Sequence, residues 1–372
     1  MSDQPVRDAF RDQARSCAAL GSPFTAALCA SLARILDADH GRVAARVLGW
    51  AGDPTSRADS VPLRLCGALH ALVLTGADPA LAATYRARVV DQTAVLAALL
   101  THEDTVLDWL DSPPQTNEVA RSAAIIAAAR FLKTFCRLPI RALELGASAG
   151  LNLNFGLYHL SPVPADLSKR APSSPDGDPI GVSGHDDRPD QVFLRPDWHG
   201  DAPTGDVDVI DAEGVDLRPI DPITDALRLM AYCWADQDAR LARLRAALAL
   251  ARAHPPRVAA GDAAGWLQDR LSRPAPGRLT LVYHTVAAQY FPQSTQAACE
   301  AALQGAAAAA DATAPVAHFA MEADGGEGAA LTLRIWDGHA RGWHLGRGDF
   351  HGRWVRWNPV ATEGLGEGRA DR

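Results

Sequence analysis

The segment "RALELGASAGLNL", residues 141 to 153, carries two chemistries in one set of letters. Gly146-Ala147-Ser148-Ala149-Gly150 is a G-x-S-x-G, the turn that presents a serine nucleophile at the end of a strand. The same residues, read from Glu144, are a strand running into a loop of small residues where a backbone can approach a ligand closely. A serine nucleophile needs an acid, a histidine and an oxyanion loop. Asp262 or Glu322, then His351, follow in a permitted order. No H-G-G-G segment precedes Ser148, however, and the residues before it read as helix, so the nucleophile lacks its scaffold. The glycine spacing is not G-x-G-x-x-G, which makes a dinucleotide pyrophosphate less natural. A ligand with an amino-acid tail and an adenosine suits the loop better. Ser148 is then a loop residue whose hydroxyl bonds the ligand, and a helix opening at Leu151 offers free N–H groups.

The elements that must position this loop divide the chain in two. Residues 1 to about 136 read as helix throughout. Ser22-Pro23 and Asp78-Pro79 each place a capping residue before a proline at a first helical position. From Arg141 onward short apolar runs alternate with helical segments. Strands are expected at Ile140–Leu145, Val207–Ile210, Gly214–Leu217, Arg257–Ala260, Leu279–Tyr283, Val316–Met321, Leu331–Trp336 and Trp354–Trp357. Helices are expected at Leu151–Leu160, Ile223–Ala253, Ala263–Leu271 and Thr295–Ala310. Such alternation implies an α/β domain, 137–372, with a mostly parallel sheet covered on both faces, behind an all-α N-terminal domain, 1–136. Residues 161 to 205, rich in Pro, Asp, Gly and Ser, interrupt the rhythm as an insertion that could close over a site.

The 372 residues are 48% hydrophobic and 22% charged, a globular composition, and the net charge of −8 argues against a sequence-independent nucleic-acid binder. No basic start precedes an apolar run and no stretch of about 18 apolar residues occurs, so neither a signal peptide nor a membrane span is expected. The six cysteines lack C-x-x-C spacing, which points to buried thiols in a reducing cytoplasm rather than to zinc or disulfides.

These segments together resemble the class I S-adenosylmethionine (SAM)-dependent methyltransferases. "LELGASAG" is similar to their first glycine motif, "GVDLRP" to the second strand, "VAAGDAAGWL" to the third, and "LTLVYHTV" to the fourth, beside the transferable methyl. The whole chain is also similar to a bacterial family of unknown function through "PQTNEVARSAA", "ELGASAGLNL", "GVDLRPIDP", "YHTVAAQYF" and "HGRWVRW". The methyltransferase resemblance implies a Rossmann-like, seven-stranded, mostly parallel sheet that binds SAM and a small or medium acceptor. It implies cofactor contacts from Glu144, Gly146, Ala147, Ser148, Gly150, Asp216, Asp262 and Ala263. Asp216 would meet the ribose, with Asp211 and Glu213 as alternatives because 70 residues separate Gly146 from Asp216.

His284 and Thr285 end the fourth strand, where a histidine has the titration range of a general base. Gln289 and Tyr290 lie just beyond, placed to line an acceptor pocket, with Tyr290 grouped with the catalytic residues. Asn117, Glu118 and Arg121 share one helical face and form a polar wall over the pocket, or simply a capped helix start. His344, Asp349 and His351 read as polar residues of a loop between strands, and no metal site is expected. "RWVRW" reads as a strand with one buried face. Two other readings stay open beside the transferase: a non-catalytic SAM- or nucleotide-binding or interaction module, and a serine hydrolase using Ser148.

Overall fold

The computed structural model describes residues 3–165 and 191–362. The inner part of the expected insertion, 166–190, lies outside the described residues. The chain divides into two compact units, Met1–Thr116 with Thr224–Arg245, and Asn117–Ile223 with Ala246–Arg372.

The first unit is helical. It holds α1 (Gln4–Ala19), α2 (Pro23–Ile35), α3 (Gly41–Leu48), α4 (Val61–Leu74), α5 (Pro79–Ala87), α6 (Gln92–Thr101) and α7 (Glu103–Leu110). Phe10, Leu28, Leu32, Leu65, Leu69, Leu81 and Leu110 are fully buried in its core. Asp78 caps α5 as its position before proline implies, accepting the Leu81 N–H at 2.9 Å. Ser22 does not cap α2 with its side chain. The Phe24 N–H is instead taken by Asp236 Oδ2 at 2.8 Å, and the Ser22 hydroxyl donates to the same carboxylate. This return segment therefore belongs to the first unit, while residues 117–136 fall in the second, so the division departs from the expected boundary at residue 136. His70 Nδ1 bonds the Ala231 carbonyl at 3.1 Å, and a Cβ on Gly67 would meet the Tyr232 ring at 2.5 Å. The expected helix Ile223–Ala253 is therefore broken, because residues 232–237 turn to make these contacts.

The second unit opens with a 3-10 turn, Val119–Arg121, and α8 (Ser122–Leu132), whose Ala-rich body is almost wholly buried. The helical segments that follow are α9 (Ala226–Ala231) in the first unit, α10 (Asp238–Ala253), which runs from one unit to the other, and α11 (Ala263–Leu271) and α12 (Gln293–Ala309) in the second. The strands are β1 (Ile140–Leu145), β2 (His159–Leu160), β3 (Val163–Pro164), β4 (Phe193–Leu194), β5 (Asp197–His199), β6 (Val209–Asp216), β7 (Val258–Ala260), β8 (Leu279–Thr285), β9 (Val316–Ala323), β10 (Ala329–Trp336), β11 (Ala340–Gly348) and β12 (Trp354–Ala361).

Ten of these strands form one sheet, ordered β3-β5-β12-β11-β10-β9-β8-β1-β6-β7. This corrects the seven expected strands. The difference arises at one end, where β9 to β12 form an antiparallel meander and two short strands from the insertion extend it, β5 pairing with β12 and β3 with β5. The other half, β7-β6-β1-β8-β9, is parallel throughout. One face of it packs Leu143, Leu145, Val215 and Val282 against Leu267 of α11 and Cys299 and Leu303 of α12. On β1, Glu144 points to the opposite face from Leu143 and Leu145.

All six cysteines are buried free thiols. No single helix among the described residues is long and apolar enough to cross a membrane.

Candidate functional site

β1 lies between β6 and β8, so the chain leaves it toward opposite sides of the sheet. In open parallel sheets this switch point, at the carboxyl ends of the strands, is where a crevice for a ligand forms. Two strained residues mark it. Ser148 has φ +54° just after β1, and Val286 has φ +53° just after β8. The left-handed region is costly for any side chain and most of all for a β-branched one. Such strain persists only where the surroundings hold it, and it collects at functional sites.

The loop after β1 is built from its own hydrogen bonds. Gly146 and Ala147 donate to the Val215 carbonyl at 2.9 and 3.0 Å, and Gly150 donates to the Ala147 carbonyl at 2.7 Å. The Ser148 N–H donates to Asp216 Oδ2 at 2.9 Å. The Leu151 N–H donates to Asn117 Oδ1 at 2.8 Å. The helix expected at Leu151–Leu160 is a 3-10 segment, Leu151–Leu157, and its first amide is thus already taken. This takes up the first of the N–H groups expected to be free there. Gly146 and Gly150 both need glycine, with φ of +71° and +70°. The space beside them is filled by protein: a Cβ on Gly146 would lie 2.6 Å from Ala287 Cβ, and one on Gly150 2.6 Å from Val258 Cγ2. The Ser148 hydroxyl is different. It is buried and has no hydrogen-bond partner among the described residues.

The acidic alternatives separate by position. Val207–Ile210 and Gly214–Leu217, expected as two strands, are one strand, β6. Its polar middle is held by arginines: Glu213 pairs with Arg141 at 3.2 Å and with Arg270 at 3.0 Å, and Asp211 pairs with Arg257. Asp216 alone of the three stands at the carboxyl end, half-buried, accepting from Ser148 and, at 2.9 Å, from the Arg218 N–H. Asp262 caps α11, accepting from Ala264 at 2.9 Å, and its second oxygen accepts from Thr295 at 3.1 Å. It is exposed, while Ala263 is buried.

Glu144 is fully buried beneath the loop. The Tyr283 hydroxyl approaches Glu144 Oε2 at 3.4 Å, and the Asn152 side chain also bonds it. Burial outweighs these donors and pushes its pKa up to about 8, so it is a neutral acid at pH 7. Ser122 in turn donates to Asn152 Oδ1 at 2.8 Å.

Asn117, Glu118 and Arg121 stand at this same edge. Glu118 caps the 3-10 turn, accepting from Ala120 at 3.1 Å. Arg121 donates to the Phe350 carbonyl at 2.8 Å and the Thr285 carbonyl at 3.0 Å. Gly352, at φ +68°, lies where a Cβ would meet Ala120 at 2.6 Å. The segments 117–121, 144–152, 283–288 and 350–352 therefore meet around the ends of β1 and β8. Asp349 pairs with Arg353 at 2.7 Å in the turn before β12. His344 lies exposed within β11, a strand that was expected to be loop. No three or more His, Cys, Asp or Glu among the described residues are arranged to hold a metal.

His284 is not placed as a free base. Its Nδ1 meets Glu322 Oε1 at 2.7 Å, and its Nε2 meets His318 Nε2 at 3.1 Å. His318 Nδ1 meets Arg334 Nη2 at 2.9 Å, and Arg334 forms a two-point pair with Glu300, both bonds 2.7 Å. A guanidinium only donates. His318 Nδ1 therefore accepts, its Nε2–H donates to His284 Nε2, and His284 Nδ1–H donates to Glu322. The pattern closes only with both rings neutral. Burial, then the neighbouring His284 and Arg334, hold His318 well below the usual histidine range. We expect His318 to remain the neutral Nε2–H tautomer at pH 6 in two-bond ¹H–¹⁵N spectra. A doubly protonated ring there would contradict this chain of bonds. Thr285 is buried, while Gln289 and Tyr290 are exposed on a short 3-10 turn, Ala288–Tyr290, outside the packed interior.

Sequence reasoning missed Asn152, Tyr283, Val286, His318 and Arg334, and took Glu322 only as a triad candidate. His318 and Glu322 are four apart, which puts them on one face of a strand, and that spacing was the available signal.

The fold and site thus define an α/β protein with its candidate crevice at the switch point of a parallel half-sheet. The chain belongs to the family described as "Uncharacterized protein conserved in bacteria (DUF2332)", whose model matches residues 7–357. No curated protein matches the chain, and no solved structure does.

Proposed function

We propose that the chain is a SAM-dependent methyltransferase of Rossmann-like class I type acting on a small or medium acceptor. The observation that carries the reading is the loop after β1. Five of its amides, those of Gly146, Ala147, Ser148, Gly150 and Leu151, are spent on protein acceptors. A phosphate would need such amides free. What the loop leaves is the buried Ser148 hydroxyl, beside an Asp216 carboxylate with lone pairs to spare. That set suits an amino-acid tail and a ribose. The parallel half, β7-β6-β1-β8-β9, sets side by side the four strands that carry the resembling motifs, which supports the reading, with the antiparallel meander as a departure from it.

On this reading SAM supplies the methyl group. Asp216 orients the ribose hydroxyls, Ser148 bonds the amino-acid end, and Asp262 and Ala263 stand at the adenine. Glu144 is a neutral brace under the loop. His284 orients Glu322 and does not itself take the acceptor's proton. S-adenosylhomocysteine (SAH) at a hundred times its Kd is expected to stabilise the protein by about 2.7 kcal/mol in urea unfolding. No shift at millimolar SAH would count against the cofactor.

One observation favours a serine hydrolase: Ser148 has the positive φ of a nucleophile turn. The histidine it needs is not on it, neither His351 nor any other, since the Ser148 hydroxyl has no hydrogen-bond partner among the described residues. A fluorophosphonate probe distinguishes the two, because the methyltransferase reading expects no labelling of Ser148.

A further inference from the structure

We infer that Glu322 is the acceptor-recognition residue of this site, and that the acceptor presents to it a cationic nitrogen, an amine or an amidine-like group. The inference rests on the methyltransferase reading for the word acceptor, but the carboxylate's arrangement stands by itself. Glu322 sits near the end of β9, beside the end of β8. Its Oε1 is saturated. It accepts from His284 Nδ1 at 2.7 Å, from the Ala287 N–H at 2.9 Å and from the Ala288 N–H at 3.1 Å. Its Oε2 is buried and has no hydrogen-bond partner among the described residues.

The two oxygens of one carboxylate are thus treated differently, and the cause is visible. Arg334 fixes the tautomer of His318, His318 fixes that of His284, and His284 is left with only an N–H to give. Burial alone would raise the Glu322 pKa, but the bonds from His284 and the two backbone amides hold it below the usual carboxylate range. An ionised oxygen buried without a donor is costly, and a cation with N–H donors is the partner that relieves it best. An anionic acceptor would be repelled, and a neutral hydroxyl would supply one donor and no charge.

Position supports the same role. Ser148 follows β1 and Glu322 ends β9, with β8 between them, so the strands that carry them are about 10 Å apart. The segment whose amides Glu322 holds, Ala287 and Ala288, also packs on Gly146, because Ala287 Cβ fills the space a Gly146 side chain would need. A ligand on Glu322 and one in the β1 loop thus contact the same short segment. The two amides on Oε1, those of Ala287 and Ala288, directly follow the strained Val286.

The test is a binding titration of the full chain with methylguanidinium, propylammonium, propan-1-ol and acetate, followed by saturation-transfer NMR, with and without saturating SAH. Both cations are expected to bind, propan-1-ol about tenfold more weakly or not at all, and acetate not at all. Glu322→Gln is expected to weaken the cations by about tenfold or more, a loss of 1.4 kcal/mol or above. Glu322→Asp, which keeps the charge, is expected to retain part of the binding, and urea unfolding confirms that each variant is folded. The inference is overturned if acetate or propan-1-ol binds as well as the cations, if Glu322→Gln binds them as tightly as the wild type, or if neither cation binds. Cation binding without any response to SAH would leave Glu322's preference standing and count against the methyltransferase reading alone.

Discussion

Gly146→Val is expected to cost the protein about 3 kcal/mol or more in urea unfolding, and to abolish ligand binding at the β1 loop. Two penalties add. Gly146 has φ +71°, a region that costs an L-residue roughly 1–2 kcal/mol. Its Cβ would also lie 2.6 Å from Ala287 Cβ, and forcing extra atoms into a packed site costs typically about 1–3 kcal/mol. The strain has a direction as well as a size. Ala287 would have to retreat, and with it the amide that donates to Glu322 at 2.9 Å. Gly261 is the internal control. It stands at the same edge, donating to the Asp216 carbonyl at 3.0 Å, yet a Cβ there meets nothing within 4 Å and no positive φ opposes it. Gly261→Ala is expected to stay within about 0.5 kcal/mol of wild type. If Gly146→Val were equally mild, the loop would not be packed as described.

The second large effect is a pH dependence set by Glu144. Its pKa rises from an ordinary 4.5 to about 8 in the folded protein, chiefly through burial. Below pH 4.5 the folded and unfolded chains both hold the proton, and the group contributes nothing to the difference. Between 4.5 and 8 the folded state holds a proton that the unfolded state has lost, so stability falls as pH rises, by at most about 1.4 kcal/mol per unit. By pH 8 the accumulated penalty is on the order of 4 kcal/mol. Glu144→Gln keeps the shape and removes the titration. It is expected to match wild type near pH 5 and to exceed its stability increasingly toward pH 8. Unfolding free energies measured across that range check this, and curves that ran parallel would show that Glu144 is not held neutral.

How much of this was legible in the sequence depends on where each residue's partner lies. β1 was readable to the residue because an apolar run is bounded by Pro139 and Gly146. α11 was readable because Asp262 is a local cap. β11 was not, since "ARGWHLGRG" carries three glycines and two arginines and has no apolar alternation. It is a strand because β10 and β12 pair with it on both sides. β6 looked like two strands because Asp211 and Glu213 interrupt its apolar pattern, and they are tolerated only through arginines from β1, α11 and the residue before β7.

The site divides in the same way. The β1 loop and the acidic ends of the next strands could be named from local spacing. Their occupancy could not, because it depends on long-range bonds. Asn117 consumes the Leu151 amide, Asp216 consumes that of Ser148, and Asp236 replaces Ser22 as the cap of α2. His284 shows the limit most clearly. Its place at the end of a central strand made it a natural base, and only His318 and Arg334, 34 and 50 residues further on, turn it into a donor fixed on Glu322.

The measurement that tests the central claim most directly is isothermal calorimetry with SAH on the wild-type chain and on Asp216→Asn. Asparagine keeps an oxygen for the Ser148 amide but loses the charge and half the acceptors that a ribose would use. The account predicts a one-to-one isotherm for wild type, weakened about tenfold or more in the variant. Absence of heat with wild type at millimolar SAH, or an isotherm indifferent to Asp216, would contradict it.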